Sequence, residues 1–296
     1  MKRIIEYKID NRNHGKTIEN YLKENGFPRN VIVQMKKTPE GICRNGIWAY
    51  TIDKLNTGDL LKLTIDKNIS SSDIIPVNLD FEIIYEDEDI LIVNKPSNMP
   101  IHPSINNYDN SLANAVMYYY RKYDFVFRCI NRLDRDTSGL TIIAKNSLSA
   151  AILSQEVSNR QIHRTYTAIC KGKTDKSGTI NAPISRKNDS TIERCVNFEN
   201  GEAAITHYKR LDYDKNKDLS LIQLKLETGR THQIRVHMKY INHPLIGDFL
   251  YNPDYEYINR QALNSSEIEF IHPITKQEMH FHIQLPSDMK CIFKTN

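Results

Sequence analysis

The chain has 296 residues, 40% of them hydrophobic and 26% charged, and this balance excludes a disordered or collagen-like protein. Its apolar runs, such as Ile90–Val93, are far shorter than the roughly 20 residues that a membrane-spanning helix needs. The charged start Met1–Lys8 predicts that no secretion signal is present. Five cysteines without a close pair offer neither a disulfide framework nor a zinc-knuckle spacing, so we expect a cytoplasmic protein without a metal centre.

The net charge of +4 is unevenly distributed along the chain. Residues 1–67 carry 13 basic and 8 acidic side chains, whereas residues 68–296 carry 27 basic and 28 acidic ones. A basic excess on a short segment favours a surface that binds a polyanion such as RNA. The alternative is a face whose charges only keep the protein soluble.

Residues 1–68 predict a small basic α/β unit. Apolar spacing indicates a helix at Thr17–Asn25 and a second short helix that contains Val31 and Met35. The second helix runs into the basic pair Lys36 and Lys37, which are our candidates for contacts with RNA. The further predicted features are a tight turn at Asn45-Gly46, a strand at Leu60–Ile65 and a polar, Ser-rich linker at 66–73.

Residues 75–296 predict a larger α+β domain. It begins with a hairpin signal, in which Phe81–Ile84 and Ile90–Val93 flank an acidic turn. Strands and helices do not alternate as in a doubly wound fold, so we expect a mixed, largely antiparallel sheet flanked by helices. The other predicted elements are strands at Leu140–Ala144, Thr165–Cys170 and Leu221–Glu227, and helices at Asn146–Arg160 and Thr231–Ile241.

The first segment that could carry chemistry is 131–140, a loop of charged and small residues directly before an apolar strand. Functional loops are often placed in this way on a rigid scaffold. Asp134 and Asp136 are two residues apart, so in an extended chain they would point the same way. One of them could act as a nucleophile or base, whereas the alternative is a solvated turn with surface ion pairs of little value.

The second segment, 160–173, contains basic residues around an aromatic strand and no acid. Strand alternation places Tyr166, Ala168 and Cys170 on one face. Basic residues around an aromatic ring suit RNA, because phosphates meet the charges while a base stacks on the ring. The alternative is that Tyr166 is an ordinary core residue, as most of the 16 tyrosines must be.

In the third segment, 226–237, a strand ends, Gly229 turns the chain and a helix begins. We expect Thr231 to cap that helix, with Arg230, His232 and Arg235 around its N-terminus, where anions are favoured. The two histidines of this segment are five residues apart and do not share a helical face, so a metal pair is not expected.

These segments together resemble the RluA-type RNA pseudouridine synthases over nearly the whole chain. Arg132–Leu140 is similar to the family's first motif, Arg164–Ala168 to its second and Gly229–His237 to its third. The residues 1–68 more loosely resemble a small RNA-binding module named after a ribosomal protein. Further matching blocks are Asn94–Pro96, Ile101–Pro103, His243–Asp248 and Ile271–Pro273.

The resemblance implies that the protein isomerises uridine in structured RNA, without a cofactor. Its catalytic aspartate would be Asp134, kept ionised by a salt bridge to Arg235. Arg132 would occupy the place of the flipped base, and Tyr166 would stack on the extruded uracil. Arg164 and Arg230 would contact RNA, and Asp136 would only brace the loop. Ribosomal RNA is slightly favoured over transfer RNA, and a monomer is assumed.

Two departures from the family pattern and two alternative functions stay open at this point. Asn131 stands where the family usually has histidine, and Arg164 where it usually has lysine. A phosphoaspartyl phosphatase could use Asp134 and Asp136, although the segment before them is too charged for its usual buried strand. A non-catalytic RNA-binding protein is the other alternative.

Overall fold

The computed structural model describes residues 2–65, 74–105, 107–188 and 190–293, so the linker expected at 66–73 lies outside the described residues. The N-terminal part, up to residue 65, is a four-stranded antiparallel sheet with two helices. Its strand order is β1-β4-β2-β3. The elements are β1 (Arg3–Lys8), α1 (Ile18–Glu24), α2 (Arg29–Lys37), β2 (Ile42–Arg44), β3 (Ile47–Trp48) and β4 (Leu60–Ile65).

Local sequence explains these elements. The Thr17 side chain caps α1 by accepting a hydrogen bond from the Asn20 amide, and α2 buries Val31 and Met35 against the sheet. Asn45 and Gly46 both have positive φ, which a two-residue hairpin turn between β2 and β3 requires. The expected helices, turn and strand are therefore confirmed.

The larger part of the chain forms a mixed, mainly antiparallel sheet with helices packed on it, as the sequence predicted. Its first elements are β5 (Glu82–Glu86), β6 (Ile90–Lys95), α3 (Leu112–Tyr119), β7 (Ser138–Ala144), α4 (Ser147–Ser158) and β8 (His163–Lys171). Its remaining elements are β9 (Ser177–Asn181), β10 (Ile184–Arg186), β11 (Arg194–Val196), β12 (Ile205–Asp214), β13 (Leu219–Leu226), α5 (Gln233–Tyr240), β14 (Leu263–Ile271), β15 (Glu278–His282) and α6 (Ser287–Lys290).

The order of strands across this sheet is β5-β6-β7-β14-β8-β13-β12-β9, and β15 pairs with β14. Of the strand pairs in the described residues, β7 with β14 is the parallel one. Ser265 on β14 stands opposite both Gly139 on β7 and Tyr166 on β8, and Tyr166 in turn faces Leu224 on β13. The start of β7, the first half of β8 and the end of β13 therefore lie at one level of the sheet.

The N-terminal unit packs directly on the larger domain. Leu148 and Ile152 of α4 complete the apolar core formed by α1, α2 and the first sheet. Arg3 of β1 donates two hydrogen bonds of 3.0 Å to the carboxylate of Asp89, in the turn between β5 and β6. The two parts are thus joined by apolar packing and by a bidentate ion pair between Arg3 and Asp89.

Two further structural facts bear on the expectations. Across the described residues, no helix is long and apolar enough to span a membrane. All five cysteines are free thiols.

Candidate active site

The topology brings the three motif segments together. The loop 131–137 enters β7, Tyr166 lies two strands away on β8, and β13 ends shortly before Gly229. Because these strand positions share one level of the sheet, the loops attached to them meet above it. Gly139 has φ +113°, and a Cβ there would lie 2.3 Å from the Ser265 carbonyl oxygen, so only glycine permits this close parallel pairing.

Asp134 and Arg235 are in direct contact at this meeting point. Nη1 of Arg235 donates a hydrogen bond of 2.9 Å to Oδ2 of Asp134. The Asp134 side chain is 28% exposed, whereas that of Arg235 is 2% exposed. Within the described residues, no hydrogen bond reaches the second carboxylate oxygen, Oδ1, which is therefore available to a bound molecule.

Arg235 is shared with a second carboxylate, Asp248. Its Nε and Nη2 donate to the two oxygens of Asp248 at 2.7 and 2.8 Å, and Asp248 is fully buried. Burial disfavours the charge on Arg235, but the hydrogen bond and charge of Asp248, with the charge of Asp134, hold its pKa above the ordinary value. Asp248 was noted in the sequence only as part of a matching block, without a role.

His232, the residue directly before α5, approaches the same oxygen of Asp134. The Tyr251 hydroxyl accepts a hydrogen bond of 2.9 Å from the Arg194 amide, so its proton can be donated to Nδ1 of His232 at 3.0 Å. In the tautomer that accepts this proton, Nε2 carries the ring N–H, and it lies 3.9 Å from Oδ2 of Asp134, too far for a hydrogen bond. Burial lowers the pKa of His232, against the opposing charge of Asp134, and favours the neutral ring.

The expected cap of α5 is wrong. The residue before the helix is His232, not Thr231, and its left-handed φ of 58° gives it no capping side-chain hydrogen bond. Instead the Gln233 side chain accepts from the Arg230 amide at 3.0 Å and from the Thr228 hydroxyl at 2.8 Å. The turn is thus held by a residue inside the helix, and His232 is left facing the site.

A cavity of about 590 Å³ opens over Asp134 and is large enough for a nucleotide. Arg132, His232 and Arg235 line it, and the segment 100–104 forms part of its rim. A smaller pocket of about 70 Å³ shares these three side chains and is bounded by Tyr166 and Arg164. Tyr166 is 5% exposed and packs among apolar residues such as Leu133 and Ile234.

The loop that carries Asp134 is braced from several sides. Asp136 forms an ion pair with its neighbour Arg135 at 2.8 Å, rather than lying beside Asp134. The ammonium of Lys95, in the Asn94–Pro96 block, is fully buried and donates to three backbone carbonyls, including that of Arg135 at 3.0 Å. Burial lowers the pKa of Lys95 to about 7, against the charges of Asp136 and Asp134.

Asn131 also braces the loop. Its side-chain amide donates to the Leu140 carbonyl at 3.2 Å and accepts from the Ile142 amide at 2.8 Å and the Thr141 hydroxyl at 3.2 Å. The residue that replaces the family's usual histidine therefore ties the start of the loop to β7.

The remaining candidates for RNA contact lie at the surface. Lys36 and Lys37 are exposed at the end of α2, and Arg132 is exposed at the cavity. Arg230 is also exposed, although it is paired with Glu202 and donates to the Ala203 carbonyl at 3.2 Å. Arg164 is half-buried beside Gly229, whose absent side chain leaves room for the guanidinium.

Neither of the acid–histidine groups that could hold a metal among the described residues belongs to this site. One consists of Asp87, Asp89 and His272, which are already held by hydrogen bonds to one another, to the backbone and to Arg3. The other consists of Glu267, Glu269 and His280 on β14 and β15.

Comparison with known proteins identifies the family. Residues 89–240 match the family model described as RNA pseudouridylate synthase. The chain is 37% identical over 281 residues to the RNA pseudouridine synthase YjbO of Bacillus subtilis, covering 94% of this chain and 98% of the relative. It is 36% identical over 230 residues to ribosomal large subunit pseudouridine synthase D of Escherichia coli K12, covering 72% and 70% of the two chains.

A solved structure agrees with these sequence matches. Human RNA pseudouridylate synthase domain containing 1 superposes with a TM-score of 0.58 at 26% identity, covering 69% of this chain and 83% of the human one. These matches favour a pseudouridine synthase over a phosphatase. The chain belongs to the RluA-type family of RNA pseudouridine synthases, and it is an isomerase that acts on RNA.

Proposed function

We propose that this enzyme converts uridines of large-subunit ribosomal RNA into pseudouridine, with Asp134 as the reacting carboxylate. The observation that carries the proposal is the ion pair between Asp134 and Arg235 at the base of the 590 Å³ cavity, with Tyr166 in the adjoining pocket. A buried arginine that fixes one carboxylate oxygen leaves the other to face the substrate.

The reaction needs no second reactant, because uridine and pseudouridine are isomers. The N1–C1′ bond breaks, a C5–C1′ bond forms, the proton leaves C5 and N1 becomes protonated. An ionised carboxylate can attack the sugar or the base, or take a proton from C2′, and Oδ1 of Asp134 is available for each of these steps. Arg235 orients the carboxylate through Oδ2, and the ring of His232 lies 3.9 Å from the same oxygen.

Access to the target base requires it to leave its stack, at a cost of a few kcal/mol. Arg132 is exposed at the cavity, two residues before Asp134, where it can occupy the space that the base vacates. Tyr166 would stack on the extruded uracil and recover part of the cost. Arg164 and Arg230 would meet phosphates at the rim.

The choice of ribosomal RNA is supported by relatives whose names state that substrate, such as the Escherichia coli large-subunit enzyme. The basic N-terminal unit, with exposed Lys36 and Lys37, would hold RNA outside the cavity. Such an enzyme would work in the cytoplasm, as a monomer.

The test is Asp134→Asn, which keeps the shape of the side chain but removes its charge. We expect the fold and RNA affinity to persist while conversion falls by about 1000-fold or more, the scale typical of losing an acid–base group. Carbodiimide mapping of ribosomal RNA from cells without the gene, complemented with either form, measures the product. The exposed Asp175→Asn is the matched control. Conversion near the wild-type rate in Asp134→Asn would exclude this assignment.

A further inference from the structure

An apolar surface is exposed on the N-terminal unit, where β3 and the chain that follows it leave the sheet. We call Ile47, Trp48, Tyr50 and Ile52 the Trp48 surface. Their exposed fractions are 74%, 55%, 76% and 77%, whereas the intervening Ala49 and Thr51 are buried at 8% and 3%. From Trp48 onward the large apolar side chains point to solvent while the small residues between them are buried. Exposed apolar patches of this kind mark binding sites.

The backbone beneath this surface is held rigidly. The Thr51 carbonyl accepts from the Glu19 amide at 2.9 Å, and the Asp53 carbonyl accepts from the Ile18 amide at 2.9 Å, so the segment covers the start of α1. The Asp53 carboxylate also accepts from the Tyr50 amide at 2.8 Å. Rings on a fixed backbone lose little entropy on binding, which favours a recognition role.

Cations lie around the surface, although carboxylates lie among them. Lys54 is exposed beside it, and Arg44 is half-buried at the hairpin, where it donates to the Lys54 carbonyl at 2.6 Å and pairs with Asp59 at 3.8 Å. Lys36 and Lys37 are exposed at the end of α2, and four residues separate Lys37 from the start of β2. Aromatic rings flanked by cations match a single-stranded nucleic acid, whose bases stack while its phosphates meet the charges.

We propose that the Trp48 surface binds unpaired bases of the substrate RNA outside the active site, with Trp48 and Tyr50 as stacking platforms. The proposal rests on the proposed function only in taking RNA as the substrate. β3 contains two residues, too few to add a strand from another protein, so recognition runs through side chains. Stacking accepts any base, and this second contact would favour sites that have an unpaired segment near the target.

The chain contains a single tryptophan, so Trp48 itself reports on this surface. We expect its fluorescence to be quenched on titration with a single-stranded RNA oligonucleotide, and much less with a fully paired duplex of the same length. The titration is repeated with Asp134→Asn, which separates RNA binding from catalysis. Quenching that persists in this variant while no pseudouridine forms in the wild type would support the surface and contradict the proposed function.

Variants provide the second measurement. Trp48→Ala and Tyr50→Ala should each weaken affinity for a long RNA with unpaired segments by at least about fivefold, the effect of losing one stacked base. Tyr123→Ala removes a ring that is 64% exposed on the larger domain and is the matched control, with unchanged affinity. Bound RNA, detected by anisotropy, without Trp48 quenching would overturn the proposal. So would variants that lose self-association or a protein partner while keeping full RNA affinity.

Discussion

At the residue scale, the candidate site depends on one guanidinium, that of Arg235, which donates hydrogen bonds to two carboxylates. Asp248 is fully buried and occupies Nε and Nη2 of Arg235, so that Nη1 is directed to Asp134. The Leu250 and Tyr251 amides donate to the same Asp248 oxygen at 3.0 and 3.2 Å and fix it in turn. Asp248 therefore positions Arg235 and balances its buried charge, while Nη1 of Arg235 is left to bind Asp134 at the cavity.

We predict that Asp248→Asn lowers both stability and activity. A buried arginine without a charged partner costs about 3–5 kcal/mol, part of which the second partner Asp134 and the remaining amide would offset. Turnover should fall by about 100-fold, because Arg235 would shift relative to Asp134. Denaturant unfolding and single-turnover rates at saturating RNA measure the two effects separately.

The matched control is Asp254→Asn in the same loop. Asp254 pairs with Lys171 at 3.6 Å and is 40% exposed, and surface pairs of this kind contribute about 0–1 kcal/mol. If Asp248→Asn were as mild as this control in both measurements, Asp248 would have no positioning role.

At the element scale, the parallel pairing of β7 with β14 sets the position of the loop that carries Asp134. The contact is short, joining Ser138 and Gly139 to Asn264 and Ser265, and the Ser138 hydroxyl donates to the Asn264 side chain at 2.8 Å. The loop 131–137 enters β7 at this point, so the position of Asp134 depends on the close approach of Gly139 to β14.

We predict that Gly139→Ala destabilises the domain by about 3 kcal/mol or more, because its Cβ would meet backbone atoms of Ser265 that cannot move aside. Gly172→Ala separates the clash from the cost of positive φ. Gly172 has φ +81°, but a Cβ there first meets the His243 side chain at 3.1 Å. That variant should lose only about 1–2 kcal/mol in the same denaturant experiment. Equal losses of stability in the two variants would show that the positive φ, and not the contact with Ser265, is what requires glycine at position 139.

Many of the elements were predictable, because local patterns specify them, but β14, which lies at the centre of the large sheet, was not among the predicted strands. Apolar spacing gave α1, α4 and α5 to within a few residues, and the dipeptide Asn45-Gly46 gave the β2–β3 turn. The cap of α5 was not predictable, since Gln233 replaces Thr231 through contacts with Thr228 and Arg230 that depend on the turn itself.

The pairing of strands across the sheet could not be predicted either, because it also depends on contacts that exist only in the folded chain. The residues that contact Asp134 are about 100 positions away, and without the family resemblance no spacing rule connects Asp134 to Arg235. Asp248 and Lys95 were recognised only as parts of matching blocks. Their roles follow from burial and hydrogen bonds, which require the strand order β7-β14-β8-β13 to be known.

At the scale of the whole molecule, the N-terminal unit and the larger domain share a core. Leu148 and Ile152 lie one turn apart on α4, are 0% and 6% exposed, and face the N-terminal unit rather than their own sheet. The Asn146 side chain, which caps α4, also donates to Asp89 at 2.8 Å, the partner of Arg3. This interface holds the exposed Lys36 and Lys37, and the Trp48 surface, at a fixed position relative to the candidate active site.

We therefore predict that Leu148→Glu combined with Ile152→Glu separates the two parts. Replacing two buried aliphatic side chains by charged ones should lower the free energy of unfolding of the N-terminal unit by about 4 kcal/mol or more. Calorimetry should resolve two unfolding transitions where the wild type has one, and small-angle scattering should show a larger radius of gyration.

Ser154→Glu combined with Gln155→Glu adds the same charge to the exposed side of α4 and should change neither measurement. Because α4 also packs on β7 through Leu153, the larger domain should stay folded and keep turnover on a short stem-loop, while affinity for a long RNA falls. A single unfolding transition with unchanged scattering in the interface variant would show that this core does not hold the N-terminal unit in place.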